Sequence, residues 1–291
     1  MLISFWPRSV LRFDRVIVAD WSAASALSPP RPSADAIWLG SIDKNGASSR
    51  YHRSRASAEA ALTQAIEAAQ AAGEALLIGC DFPMGYPSGF AARLTGSASA
   101  RAVWAWLADH IQDAPDNSNN RFQIAAQINR HFGGAGPFWG RPARLDLPDL
   151  PATKAVDYPA LALSERRAVE TVVPRAQPVW KLYTTGAAGS QGLMGQPMIH
   201  RLSQRPGVAV WPFDPPGQIT LAEIYPSLLA RAVMADPAPI KDEAQVRLLA
   251  ASLFTLSQQG RLAGLFDCPA SAEEGWILGA GHSATLLAAL S

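Results

Sequence analysis

Cysteine is scarce in this chain: Cys80 and Cys268 are the only two in 291 residues. Neither belongs to a C-x-x-C pair, and a chain this long can bury a core without covalent staples, so a disulfide scaffold is excluded. Histidine is nearly as thin. His52, His110, His131, His200 and His282 are scattered, with no H-E-x-x-H or other zinc-ligand spacing. Charge is low as well, at 17% of residues, and 25 Lys plus Arg against 24 Asp plus Glu leave a formal net charge of +1. That balance supplies no basic field for a long nucleic acid and argues against a processive nuclease. No apolar run approaches the roughly 20 residues of a membrane span. Met1 to Phe13 is apolar only in patches, is broken by Arg8 and Arg12, and has no small-residue cleavage site after it, so it does not read as a signal peptide. Together these absences point to a cytoplasmic protein with reduced thiols and no membrane partner.

Three motifs are also missing. No Gly-rich turn follows the first strand, which excludes a Rossmann opening. No G-K-[ST] closes a Walker A loop, and neither Ser22 nor Ser190 lies in a G-x-S-x-G elbow.

What is present is a globular α/β pattern, 48% hydrophobic. Arg15 to Trp21 (RVIVADW) is short and almost wholly apolar, as expected of a central strand buried on both faces. Asp35 to Ile42 and Ala47 to Arg53 read as two further strands, joined by a tight turn in which Asn45-Gly46 favours positive φ. Ser57 to Ala72 reads as an Ala-rich helix with Ser57 as N-cap and Gly73 as its stop, and Ala75 to Asp81 (ALLIGCD) as another buried strand. A meander followed by a helical crossover gives a mixed sheet whose fourth strand is parallel to the first, the opening half of an RNase H-like fold.

Residues from about 86 to 205 differ in character. Helical patterns at Ala100 to Asp113, Arg121 to Phe132, Leu161 to Val172 and Gly192 to Leu202 surround a Gly/Pro/Trp-rich centre, Gly136 to Ala152, that cannot be regular structure. We read this stretch as a large, mostly helical insertion capping one sheet edge within a single α/β domain spanning 1–291. An independent second domain is the alternative. Strands then resume at Val208 to Phe213 and Ile219 to Tyr225, and Lys241 to Gly260 is an amphipathic helix with Val246, Leu249, Ala250, Leu253 and Leu256 on its apolar stripe.

Four carboxylates stand out. Asp20 closes the first strand, Asp81 the fourth, Glu223 sits near the end of ITLAEIY, and Asp242 lies in the first turn of the late helix. If those strands are parallel neighbours, their acids converge at one edge, where open α/β sheets place their sites. Asp242 lies four residues before Val246 and seven before Leu249, on the sheet-facing side of its helix, whereas Glu243 falls on the flank. Acids gathered this closely need a cation or a raised pKa, and oxygen-only ligands suit Mg²⁺ or Mn²⁺. Structural readings exist beside this one. Asp242 suits a helix N-terminus on dipole grounds, and Asp81 before Phe-Pro suits a turn.

At these residues the chain resembles the domain-of-unknown-function family 429, a predicted RNase H-like nuclease group. The matching pieces are VADWS (Val18 to Ser22), IGCDFPMGYP (Ile78 to Pro87), EIYP (Glu223 to Pro226), KDEAQ (Lys241 to Gln245) and EGWILG (Glu274 to Gly279). NRF (Asn120 to Phe122) and GPFWG (Gly136 to Gly140) resemble an alphaproteobacterial branch that often carries a molybdopterin guanine dinucleotide synthesis label. The resemblance implies that Asp20, Asp81 and Asp242 bind metal. It also marks a departure, because resolvase-like members tend to carry a second acid three residues after the helix Asp, where this chain has Gln245.

Further candidates for binding substrate are Trp21 and Ser22, Lys181 ahead of the small-residue loop Thr184 to Gly192, and Arg141 with Arg144 beside Trp139. The expected activity is metal-dependent phosphoryl transfer, a phosphodiester hydrolase acting on a nucleotide or short nucleic acid. Asp20, Asp81 and Asp242 hold Mg²⁺ or Mn²⁺ in this reading, and Glu223 is a further ligand or orients the attacking water. The alternatives are a nucleotide or cofactor-precursor binding protein of the actin-like ATPase kind, for which the turn Trp21 to Ser25 lacks glycine, and an interaction module without catalysis.

Overall fold

A computed structural model describes residues 11–269 and 271–291. The segment 1–10, which includes most of the stretch weighed above as a signal peptide, lies outside the described residues. Among the described residues no helix is long and apolar enough to cross a membrane.

The core is a six-stranded mixed sheet. Strands β1 (Arg15–Asp20), β2 (Ile37–Asp43) and β3 (Gly46–His52) form an antiparallel meander. Helix α1 (Arg55–Ala72) then crosses over so that β4 (Leu76–Asp81) runs parallel to β1. Strands β5 (Val208–Trp211) and β6 (Ile219–Glu223) complete the order β3-β2-β1-β4-β6-β5, with β6 parallel to both β4 and β5. The expected adjacency of the first, fourth and ITLAEIY strands is therefore present.

Local chemistry explains the boundaries. The N-cap of α1 is Ser54 rather than Ser57: the Ser54 hydroxyl accepts from the Ser57 N–H, and Gly73 ends the helix at φ 68°. In the β2–β3 hairpin only Gly46 takes positive φ, while Asp43 Oδ1 accepts from the Asn45 N–H and so closes the turn with a side chain.

Alternation along the strands sends side chains to two packed layers. Val16 and Val18 of β1 face α8 (Lys241–Gln258), whose Val246, Leu249, Ala250, Leu253 and Leu256 share their core. Ile17 and Ala19 face the other layer, made by α1 and by α6 (Ala188–Ser203). Each fully buried Leu, Ile or Val contributes about 1.5–3 kcal/mol, so both layers are firmly attached.

Between β4 and β5 the chain forms α2 (Phe90–Thr95), α3 (Ala100–His110), α4 (Arg121–His131), the five-residue α5 (Ala168–Val172) and α6. The pattern at 161–172 thus yields a helix only over its last turn, and α6 begins four residues earlier than its periodicity suggested. This stretch has its own aromatic cluster, with Tyr86, Phe90, Phe138 and Trp180 in mutual ring contact. It is not detached from the sheet, because Trp104 of α3 and Met198 and Ile199 of α6 enter the sheet's core. After β6 the short α7 (Ala230–Ala235) leads to α8, and α9 (Ser283–Ala288) packs near the chain's end.

Candidate functional site

Asp20 and Asp81 stand in register as the last residues of two adjacent parallel strands. Neighbouring strands lie about 4.8 Å apart, and registered residues point to the same face, so the two carboxylates are close neighbours by construction. Both lie on the α8 face, in phase with Val16 and Val18. Neither carboxylate accepts a hydrogen bond from any described residue. Burial, then the charges of Asp81, Asp242 and Asp35, push the Asp20 carboxyl well above its ordinary range. Burial, then Glu223 and Asp242, push Asp81 up to about 8.

Asp242 reaches the same edge from the first turn of α8. Its Oδ2 accepts from the Asp35 N–H at 2.7 Å, and Asp35 holds a left-handed φ of 56°. Burial raises the Asp242 carboxyl, and the Asp35 N–H partly opposes the rise. Glu243, one residue on, instead accepts from the Ser49 hydroxyl of β3 at 2.6 Å. Among the described residues no three Asp, Glu, His or Cys side chains are grouped to hold a metal ion.

Glu223 does not join the acids in the way expected. The register pairs it with Cys80, one residue short of Asp81, so it falls on the opposite face of the sheet. There Arg167 takes both its oxygens, with Nη2 to Oε1 at 2.6 Å and Nη1 to Oε2 at 2.8 Å, and the Met84 N–H donates to Oε2 at 2.9 Å. Arg167 Nε also binds Glu170 at 2.9 Å, and Arg167 and Glu170 are each 1% exposed. Burial alone would lower the Arg167 pKa, but Glu223 and Glu170 more than offset it and keep the guanidinium charged. Glu223 is thus committed to a buried ion-pair triad and has little left to offer a ligand.

The edge opens into a cleft of about 560 Å³ lined by Asp20, Trp21, Ser22, Asp35, Asp242 and Gln245 together with Arg121, Thr184 to Ala187 and Ser190. A smaller cavity of about 120 Å³ beside Asp81, Arg167 and Glu223 adjoins it through Gly186 and Gln191. Loop Ser22 to Ala24 is held by buried Arg55, which donates to the carbonyls of Ser22 and Ala24 and grips Asp113 with two bonds of 2.6 Å.

The expected substrate contacts divide. Trp21 and Ser22 line the cleft, with Ser22 Oγ donating to the Asp35 carbonyl. Lys181 does not line it, since its Nζ is bound to the Thr185 carbonyl at 2.6 Å. Arg141 lies elsewhere too, its guanidinium donating to the carbonyls of Leu145 and Leu150. Both basic groups brace loops. Asp35, Arg121 and Ser190 were not singled out for ligand contact from sequence. Only an unusual φ at Asp35 and burial at Arg121 mark them, and both appear only on folding.

Comparison with protein-family models, curated proteins and solved structures returns no match.

Proposed function

We propose that this protein is a divalent-metal-dependent phosphoryl-transfer enzyme with an RNase H-like arrangement, hydrolysing a phosphodiester in a nucleotide or short nucleic acid in the cytoplasm. The observation that carries the proposal is the registered pair Asp20 and Asp81, two carboxylates without hydrogen-bond donors among the described residues, Asp20 lining the cleft and Asp81 the smaller cavity that adjoins it. The order β3-β2-β1-β4-β6-β5, with a long helical segment between β4 and β5, supports the family resemblance and the reading of 86–205 as an insertion.

The donor set fits Mg²⁺ or Mn²⁺. Both donors are hard oxygens, both carboxyls resist ionisation while no cation is near, and Mg²⁺ is commonly bound through one or two carboxylates together with water and substrate oxygens. Asp20 and Asp81 would hold the ion, with Asp242 completing the acidic edge. Gln245 in place of a second helix acid, and the lack of a three-acid group among the described residues, favour one ion over two. When bound, the ion would polarise the phosphate and stabilise charge on an attacking or leaving oxygen. Asp242 would accept a proton from the attacking water, held in place by the Asp35 N–H. Glu223 would act at one remove, with Arg167 fixing the wall of the smaller cavity.

The test is hydrolysis of a chromogenic phosphodiester with Mg²⁺ or Mn²⁺, compared with Asp20→Asn. Metal-dependent turnover lost in the variant is expected. Nucleotide binding without turnover in any metal would favour the carrier alternative. Against that alternative, the turn after β1 spends its Ala24 N–H on Ser22 Oγ rather than leaving it for a phosphate.

A further inference from the structure

Arg121, the first residue of α4, is 8% exposed and has no carboxylate within ion-pair distance among the described residues. Its Nε donates to Ser190 Oγ at 3.0 Å, and its Nη1 donates to Ser25 Oγ at 2.8 Å and to Asn119 Oδ1 at 2.7 Å. All three acceptors are neutral. Nη2 has no acceptor among the described residues, and the residue lines the same cleft as Asp20 and Asp242. Buried charges are ordinarily paired, because a desolvated ion without a counter-ion is costly. Arg55, close by, follows that rule through Asp113. Arg121 makes no such pair among the described residues; burial followed by the Arg55 charge pushes its pKa down to about 10, with the Asp113 charge partly opposing, so it remains a cation at neutral pH.

A second, independent feature faces the same space. Thr184 and Gly186 take left-handed φ of 70° and 74°, and the chain then enters the 16-residue α6. The backbone N–H groups of Thr185, Gly186 and Ala187 donate to no described residue, and they sit at the positive end of that helix. A guanidinium without an ion-pair partner, lining the same cleft as free backbone donors, is the chemistry of an oxyanion receptor.

We propose that Arg121 and the Thr185–Ala187 backbone form a phosphate subsite that anchors a phosphoryl group of a small substrate in the cleft that Asp20 and Asp242 also line. The choice of phosphate over other oxyanions rests on the phosphoryl-transfer reading above; the anion site itself does not. A cleft lined by one such cation together with Asp20, Asp35 and Asp242 takes a compact phosphorylated molecule and leaves a long uniform strand no continuous basic track.

Calorimetric titration of the full chain with inorganic phosphate in EDTA tests this without any metal. Saturable binding is expected, weakened at least tenfold in Arg121→Gln. Because Arg121→Gln removes three hydrogen bonds, Ser25→Asp is the companion variant. Ser25 is exposed, and an aspartate there places a carboxylate beside Nη1, which should raise Tm and abolish phosphate binding together. No saturable binding in the wild type, or unchanged binding in Ser25→Asp, overturns the subsite. Phosphate binding without any response to Mg²⁺ or Mn²⁺ would uphold the subsite while removing the metal-dependent reading.

Discussion

The backbone of Val246 in α8 lies directly on Gly40 of β2: a Cβ built at Gly40 would stand 2.6 Å from the Val246 carbonyl carbon and oxygen. Only glycine allows the helix to approach the sheet so closely. Val246 is one turn after Asp242, so this contact sets how near Asp242 comes to Asp20. Gly40→Ala should therefore cost about 1–3 kcal/mol of stability by overpacking. It should also weaken metal binding, because the helix must back away with its acid. Chemical denaturation paired with Mn²⁺ titration checks both effects.

Metal should stabilise the protein through Asp20 and Asp81. At a metal concentration of a hundred times Kd the gain is about 2.7 kcal/mol. Asp20→Asn should melt higher than wild type in EDTA, because it removes a repelled carboxylate, and should lose the metal-induced rise in Tm. A variant that keeps the full rise would remove Asp20 from the ion site.

The pH dependence has a definite sign. Asp81 is raised to about 8 when folded, so the folded state binds its proton more tightly than the unfolded chain does. That stabilisation is fully present below the unfolded value of about 3.9 and is lost as pH rises through the folded value. In EDTA, wild type should lose stability relative to Asp81→Asn between about pH 4 and pH 8. Divalent metal should narrow the gap at the alkaline end, where the carboxylate is free to bind it. Urea melts across that range provide the measurement.

The buried triad around Arg167 should be intolerant of losing its cation. Arg167→Met strands Glu170 and Glu223 without a counter-ion, at about 3–5 kcal/mol. The combined variant Arg167→Met, Glu170→Gln, Glu223→Gln should recover part of that loss, since no charge is left unpaired. Equilibrium unfolding of the two variants would show it, and equal destabilisation would mean that packing, rather than charge, dominates at Arg167.

Much of the architecture was legible from local pattern. Val16 to Ala19 and Leu76 to Cys80 are unbroken apolar runs, and such runs announce strands covered on both faces. The ends of those runs locate Asp20 and Asp81 without any knowledge of contacts. The cap of α1 falls at Ser54 rather than Ser57, and the helix expected from Leu161 starts only at Ala168, because periodicity marks a helix's body better than its ends.

The composition and the apolar runs by themselves determined a mixed α/β sheet with acids at the strand ends, because burial of alternating side chains is a local property of the chain. The tertiary structure alone decided which groups meet. A one-residue offset in register sent Glu223 to Arg167 on the far face, and backbone carbonyls captured Lys181 and Arg141. Folding also brought Arg121, Ser25 and Ser190 together from segments far apart in sequence. Such partnerships depend on which buried charge finds a counter-charge, and that is settled only when the layers close.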